Sequence, residues 1–206
     1  MIITRIVPIN NKRSEVYIDD RFAFVLYRGE LRRYNIREHE TLDENIYEDI
    51  INEVLCKRAF LRCLHLLDKR DYTESQIIRK LRDGGYPEKT IEYAVSKAKG
   101  YGYINDDSYA ARYIVCHLDK KSVNSIKRTL YQRGINEATI ENALNELKQD
   151  GYESDEMALI ERLLIKRHYY EGPHDAKEYN KQLRYLLSKG FSFDNVKLAL
   201  KNSEPY

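Results

Sequence analysis

The feature that most limits what this chain can become is an internal repeat. Shifting the sequence by 49 residues lays Leu81 on Leu130, Gly85 on Gly134, Ile91 on Ile140, Ala94 on Ala143 and Val95 on Leu144 without a gap. The same shift superposes Thr73 on Ser122, Gly102-Tyr103 on Gly151-Tyr152 and Asp106 on Asp155. A further shift of 56 carries Leu130 to Leu186, Gly134 to Gly190, Ile140 to Val196, Ala143 to Ala199 and Leu144 to Leu200. The seven extra residues fall in "HYYEGPHDAK", where Gly172 and Pro173 mark a longer loop. A period of this length is the mark of tandem units, each too small to bury its apolar face alone.

Each copy reads as three short helices. In the first, Ala59, Cys63, Leu66 and Leu67 form one apolar stripe. Thr73-Glu-Ser-Gln76 has the spacing of a capping box that opens a helix carrying Ile77, Ile78 and Leu81. Gly85 ends that helix, because glycine enters the left-handed cap conformation without a Cβ penalty. Pro87 suits the first turn of the third helix, whose inner face is Ile91, Ala94, Val95 and Ala98. Asp106 can then cap the helix that starts the second copy.

The first forty residues follow a different rule. In "SEVYIDDRFAFVLY", Val16 and Ile18 precede the turn-forming Asp19-Asp20, and Phe22, Phe24 and Leu26 follow it with period two. That pattern predicts a β-hairpin, with "IITRIVPI" as a third strand ending near Pro8. A hairpin is marginal alone, so it must pack on a neighbouring helix. "YRGELRRYNI" reads as a short helix or turn; Thr41 or Asp43 caps the next helix, whose expected buried stripe is Ile46, Ile50 and Val54. The expected fold is mainly α: three tandem three-helix repeats in an elongated curved array, preceded by a small N-terminal β-hairpin region. Its parts are the β-rich region 1–42, a connecting helix 43–58, and repeats at 59–107, 108–156 and 157–206.

Composition excludes more than it proposes. No apolar run approaches the roughly 18 residues of a membrane span, and "MIITRIVPINNKRSEV" has no signal-peptide h-region, so neither membrane insertion nor secretion is expected. Cys56, Cys63 and Cys116 form no C-x-x-C pair and read as buried small side chains in a reducing cytosol. The five histidines, His39, His65, His117, His168 and His174, are scattered without metal-ligand spacing, and His65 with Asp68 reads as a surface pair. Phosphate-binding loops and nucleophile elbows are missing, so no active site and no cofactor are expected. With 35 basic against 33 acidic residues, only a local patch can attract a polyanion.

Such a patch is marked by the one repeated column that packing does not require. Arg79, Arg128 and Arg184 each lie two residues before the core leucine, about 200° round the helix and so away from the core. Duplication of an ordinary solvated position explains the column; so does selection for a surface. Lys80, Arg82, Arg133 and Lys189 lie nearby, and Lys69, Arg70, Lys120 and Lys121 precede the middle helices. Recurring at one place per unit, they would form a stripe facing phosphates or an acidic protein groove.

The residues also carry a family resemblance. "LLDKRDYTESQIIRKLRDGGY" followed by "KGYGYINDDSYAARYI" resembles RecX, the bacterial regulators of the RecA recombinase, over about residues 15 to 200 and most strongly over 70–144. The combination of Arg70, the Thr73 cap, Lys80-Leu81, Gly85 and the "INDDSYA" link into "LYQRGI" carries it, with Gln76 where such proteins usually have Glu. The resemblance implies a cytoplasmic monomer without cofactor or catalysis that lodges in the groove of the RecA filament on DNA. There it would modulate the ATPase, strand exchange and filament growth in recombination and repair. The matching exposed basic positions are Arg79, Lys80, Arg128 and Arg133; Arg184 and Lys189 follow from the internal repeat. The alternative is a helical-repeat protein that binds nucleic acid directly, since such units resemble helix-turn-helix domains.

Overall fold

The computed structural model describes residues 1–171 and 175–201, so the loop expected at Gly172-Pro173, with His174, lies outside the described residues. The chain is mainly helical and forms two compact units, Met1–Asn105 and Asp106–Tyr206.

In the first unit, β1 (Ile3–Pro8), β2 (Arg13–Ile18) and β3 (Arg21–Tyr27) form an antiparallel sheet in the order β1-β2-β3. Asp19 and Asp20 turn the β2–β3 hairpin with φ of +47° and +63°, the double left-handed turn that matches strand twist. The expected inner row of Phe22, Phe24 and Leu26 holds for only two of the three. Val16 pairs with Phe24 but Tyr17 pairs with Phe22, leaving Ala23 as the extra residue of a bulge. Phe22 is thereby turned outward, 45% exposed, with its ring 5.9 Å from that of Tyr17.

After the short α1 (Arg28–Arg33) a helical run extends unbroken from 44 to 67 as α2 (Glu44–Asp49), a π-helical turn (Ile50–Leu55) and α3 (Cys56–Leu67). Asp43 caps it by accepting the Asn45 N–H at 2.8 Å. The expected stripe of Ile46, Ile50 and Val54 is displaced: Ile50, Ile51 and Leu55 are buried, while Ile46 is exposed and Val54 half-buried. The wider π turn, with its i→i+5 bonding, rotates the following face relative to a 3.6-residue helix. These three side chains cover the inner face of the sheet in one cluster with Val16, Phe24, Leu26, Ile36 and Leu42. A second cluster, Ala59, Cys63, Leu66, Ile77, Leu81, Ile91, Ala94, Val95 and Ala98, fills the bundle of α3, α4 (Glu74–Arg82) and α5 (Glu88–Gly100).

The second unit repeats the plan twice. Here α6 (Asp106–Val115), α7 (Val123–Gln132) and α8 (Glu137–Gln149) enclose Ile114, Ile126, Leu130 and Ile140. Then α9 (Glu156–Lys166), α10 (Ala176–Ser188) and α11 (Phe193–Lys201) enclose Ile160, Leu164, Leu186, Val196 and Leu200. Two local expectations shift. Pro87 stands just outside α5 as its N-cap residue, with φ −61° and ψ 149°, and α6 has Asp106 as its first helical residue. Cys56 and Cys63 are buried, and burial pushes the Cys63 thiol up to about 11; Cys116, just past the end of α6, is exposed.

Candidate partner-binding surface

The repeated phrase is a helix-ending device in all three copies. Gly85, Gly134 and Gly190 adopt φ of +78°, +85° and +91°. The Tyr86, Ile135 and Phe191 N–H groups donate back to the Leu81, Leu130 and Leu186 carbonyls at 3.3, 3.2 and 3.4 Å, and the glycine N–H groups to Arg82, Tyr131 and Leu187 at 2.9, 2.8 and 2.9 Å. This paired bonding is the Schellman motif, completed by the apolar residue after the glycine folding onto the last-turn leucine. All three leucines are fully buried. At the other end of the middle helices, Thr73 accepts the Gln76 N–H at 3.3 Å while Gln76 answers with 3.2 Å to the Thr73 N–H, so the expected capping box is present. Ser122 and Asp175 cap α7 and α10 by accepting the Ser125 and Glu178 N–H groups at 3.2 and 2.7 Å.

Two of these glycines are also contact points that the repeat pattern does not announce. A Cβ on Gly85 would stand 2.6 Å from Val25 Cγ2, because the turn rests on β3. A Cβ on Gly190 would stand 2.8 Å from Ser122 Oγ and 3.1 Å from the Ser125 nitrogen. There the start of α7 meets the end of α10: Ser122 donates its hydroxyl to the Lys189 carbonyl at 2.7 Å, and Asn124 donates to the Gly190 carbonyl at 3.0 Å. Glu156 adds one bond across the same pair of repeats, accepting the Val123 N–H at 3.2 Å, and one within the third repeat, accepting from Asn195 Nδ2 at 3.1 Å.

The six basic candidates divide into two groups. Arg79, Arg128 and Arg184 are exposed, on the helix face opposite their buried leucines, and none of their side chains makes a hydrogen bond or ion pair with a described residue. Lys80, Arg133 and Lys189 instead lie over tyrosines of their own repeats. Lys80 Nζ is 5.2 Å from the Tyr72 ring, Arg133 is 4.4 Å from that of Tyr113 and also bonds the Tyr109 hydroxyl, and Lys189 is 5.4 Å from that of Tyr185. A second cation shares each ring: Arg70 at 4.5 Å on Tyr72, Lys121 at 5.6 Å on Tyr113, Arg167 at 4.0 Å on Tyr185. The Arg70 guanidinium beside the Tyr72 hydroxyl also lowers its pKa. These tyrosine–cation clusters escape sequence comparison because Tyr72, Tyr113 and Tyr185 occupy different positions in their repeats.

Some of the other basic side chains are paired with carboxylates. Arg82 pairs with Glu88 at 2.6 Å, Lys99 with Glu74 at 2.7 Å and Lys89 with Glu48 at 2.7 Å. His65 forms no ion pair with Asp68, and His117 stacks on Tyr113 at 4.0 Å. Among the described residues, no group of three His, Cys, Asp or Glu is placed to hold a metal ion, and no helix is long and apolar enough to cross a membrane.

A small β-module joined to three-helix repeats, each ending its middle helix in a glycine turn a few residues after an exposed arginine, defines a helical-repeat protein. Comparison with known proteins makes this specific. Residues 59–97 match the RecX first three-helix domain and residues 153–200 the RecX third three-helix domain. The regulatory protein RecX of Clostridium tetani is 31% identical over 93% of this chain and 88% of its own, and that of Finegoldia magna is 30% identical over 96% and 97%. A crystal structure of regulatory protein RecX superposes with a TM-score of 0.62 at 27% identity, covering 96% of this chain and 98% of that one. RecX from Lactobacillus salivarius superposes with a TM-score of 0.56 at 25% identity, over 72% and 96%. The chain belongs to the RecX family, a family of regulatory proteins.

Proposed function

We propose that this chain is a non-catalytic, monomeric cytoplasmic regulator that binds the RecA filament on DNA and modulates its ATPase, strand exchange and growth. The observation that carries the reading is the arginine column. Three copies of one motif hold Arg79, Arg128 and Arg184 exposed and uncommitted, while neighbouring cations are engaged with tyrosines or carboxylates of their own unit. A filament is itself a repeating surface, and a protein with one charged contact per repeat can engage successive subunits so that weak contacts reinforce one another.

The test is RecA's DNA-dependent ATPase and strand exchange, titrated with the wild-type chain and with Arg79→Glu/Arg128→Glu/Arg184→Glu. The triple variant is expected to keep the wild-type helicity and melting transition, since all three side chains are exposed and unpaired, yet to need at least tenfold more protein for the same effect. An unchanged titration would return the column to the status of duplicated solvated positions.

A further inference from the structure

We propose that the N-terminal module carries a contact surface for the phosphodiester backbone of nucleic acid, separate from the arginine column of the repeats. The observation is a local excess of uncommitted positive charge. The β1–β2 turn is closed by Asn10, whose side-chain oxygen accepts the Lys12 and Arg13 N–H groups at 2.9 and 3.0 Å. The Arg28 N–H then donates to the Lys12 carbonyl at 3.0 Å, fastening the start of α1 against that turn. Arg13 stands opposite Tyr27 in the β2–β3 pairing, and Arg32 lies four residues beyond Arg28 on α1. Lys12, Arg13, Arg28 and Arg32 are thus gathered at one corner of the sheet by backbone bonds, and none of their side chains makes a hydrogen bond or ion pair with a described residue.

The carboxylates on the same two stretches are outnumbered by the cations, and only Glu30 has its charge matched by an arginine. Residues 9–17 and 27–34 hold only Glu15 and Glu30. Glu15 accepts the Tyr17 hydroxyl at 2.9 Å; Glu30 accepts from Arg58 at 2.8 and 3.1 Å and from the Tyr27 N–H at 2.7 Å. Some other exposed cations of this unit have carboxylate partners, as Lys57 has Glu53 and Lys89 has Glu48, whereas Arg79 has none among the described residues. Duplication does not explain the corner, because it lies outside the repeats. Three of the four free cations are arginines, whose planar fork matches phosphate oxygens in pairs and remains charged at any physiological pH.

The experiment measures binding of the full chain to a short fluorescent single-stranded DNA of mixed sequence, and to the same sequence as a duplex, across a salt series. Losing three phosphate contacts on a single strand lowers the slope of log K against log salt by about 2. Lys12→Ala/Arg28→Ala/Arg32→Ala is therefore expected to flatten the single-strand slope by about that much, while Arg79→Ala/Arg128→Ala/Arg184→Ala retains it. Unaltered circular dichroism and melting would show that the corner variant is folded; should it unfold, the charge-retaining Arg28→Lys/Arg32→Lys variant, expected to keep the slope but lose affinity, replaces it. Three results would overturn the proposal: no binding of bare DNA by the wild type at low salt, an unchanged slope in the corner variant, or competition by polyglutamate as effective as that by DNA of equal charge. Because no RecA is present, failure here leaves the filament reading standing, and failure of the filament assay leaves this one standing.

Discussion

The turns at Gly85 and Gly190 are built from the same motif and do different work. Both end a middle helix in the left-handed conformation with the same pair of backbone bonds. At Gly85 the bare Cα faces Val25 of the sheet, an apolar contact. At Gly190 it faces Ser122 and Ser125 at the start of α7, where hydroxyl and amide groups bond the carbonyls of the turn. Gly102 and Gly151 also take φ of +73° and +86°, but an added Cβ there would meet nothing. The comparison separates two reasons for a glycine: conformation, common to every copy, and close approach, which depends on what the fold has placed opposite.

The largest expected effect breaks the apolar side of that comparison. Gly85→Ala incurs both the left-handed penalty and a clash with Val25, and is expected to destabilise by about 2–4 kcal/mol in denaturant unfolding. Adding Val25→Ala should recover at least about 1 kcal/mol as a favourable coupling in the double-mutant cycle. Gly190→Ala is expected to cost about 2–3 kcal/mol, and Ser122→Ala should restore no net stability, because the Ser125 nitrogen stays 3.1 Å from the new Cβ and Ser122 also caps α7. A net gain in stability from the second substitution at both turns would show that the two turns meet equivalent surfaces after all.

Arg58 sharpens what holds the sheet beside the first repeat. It binds both carboxylate oxygens of Glu30, donates to the Val25 carbonyl at 2.5 Å and lies 4.8 Å from the Tyr27 ring and 5.8 Å from that of Tyr86. Arg58→Ala should cost about 2 kcal/mol by calorimetry, since it leaves a largely buried carboxylate and a carbonyl without their donor. Gly102→Ala, with conformation as its only penalty, should cost about 1 kcal/mol. The smallest effect is chemical: at mildly alkaline pH a thiol reagent should modify exposed Cys116 rapidly, while Cys63, with its pKa raised to about 11 by burial, stays protonated and unmodified until the chain unfolds. Equal rates at the two thiols would contradict the packing of α3.

What could be read from the letters follows the range of the forces involved. Helix stops at Gly85, Gly134 and Gly190, the Thr73 capping box, the Asp19-Asp20 turn and the alternation of β2 are settled within a few residues, so spacing reveals them. The outward direction of Arg79, Arg128 and Arg184 follows from their distance to Leu81, Leu130 and Leu186 on a regular helix. Where a regular period is interrupted, sequence reasoning fails: the bulge at Ala23 turns Phe22 outward, and the π turn moves burial from Ile46 and Val54 to Ile51 and Leu55. The candidate surface was half legible for the same reason. A column of arginines can be counted, but whether Lys80, Arg133 or Lys189 is held by a tyrosine depends on rings at unrelated positions.

From the chain of letters come the repeat, its three helices, their caps and stops, the β-hairpin ahead of them and membership of the RecX family. All of these rest on local periodicity or on motifs carried by contiguous residues. Only the folded molecule decides that Gly85 abuts a strand while Gly190 abuts a helix start, that Arg58 ties Glu30 to Val25, and that the side chains of Lys12, Arg13, Arg28 and Arg32 make no hydrogen bond or ion pair with a described residue. Those facts depend on groups brought together from distant parts of the chain, and no spacing rule ties Arg58 to Glu30 or Gly190 to Ser122.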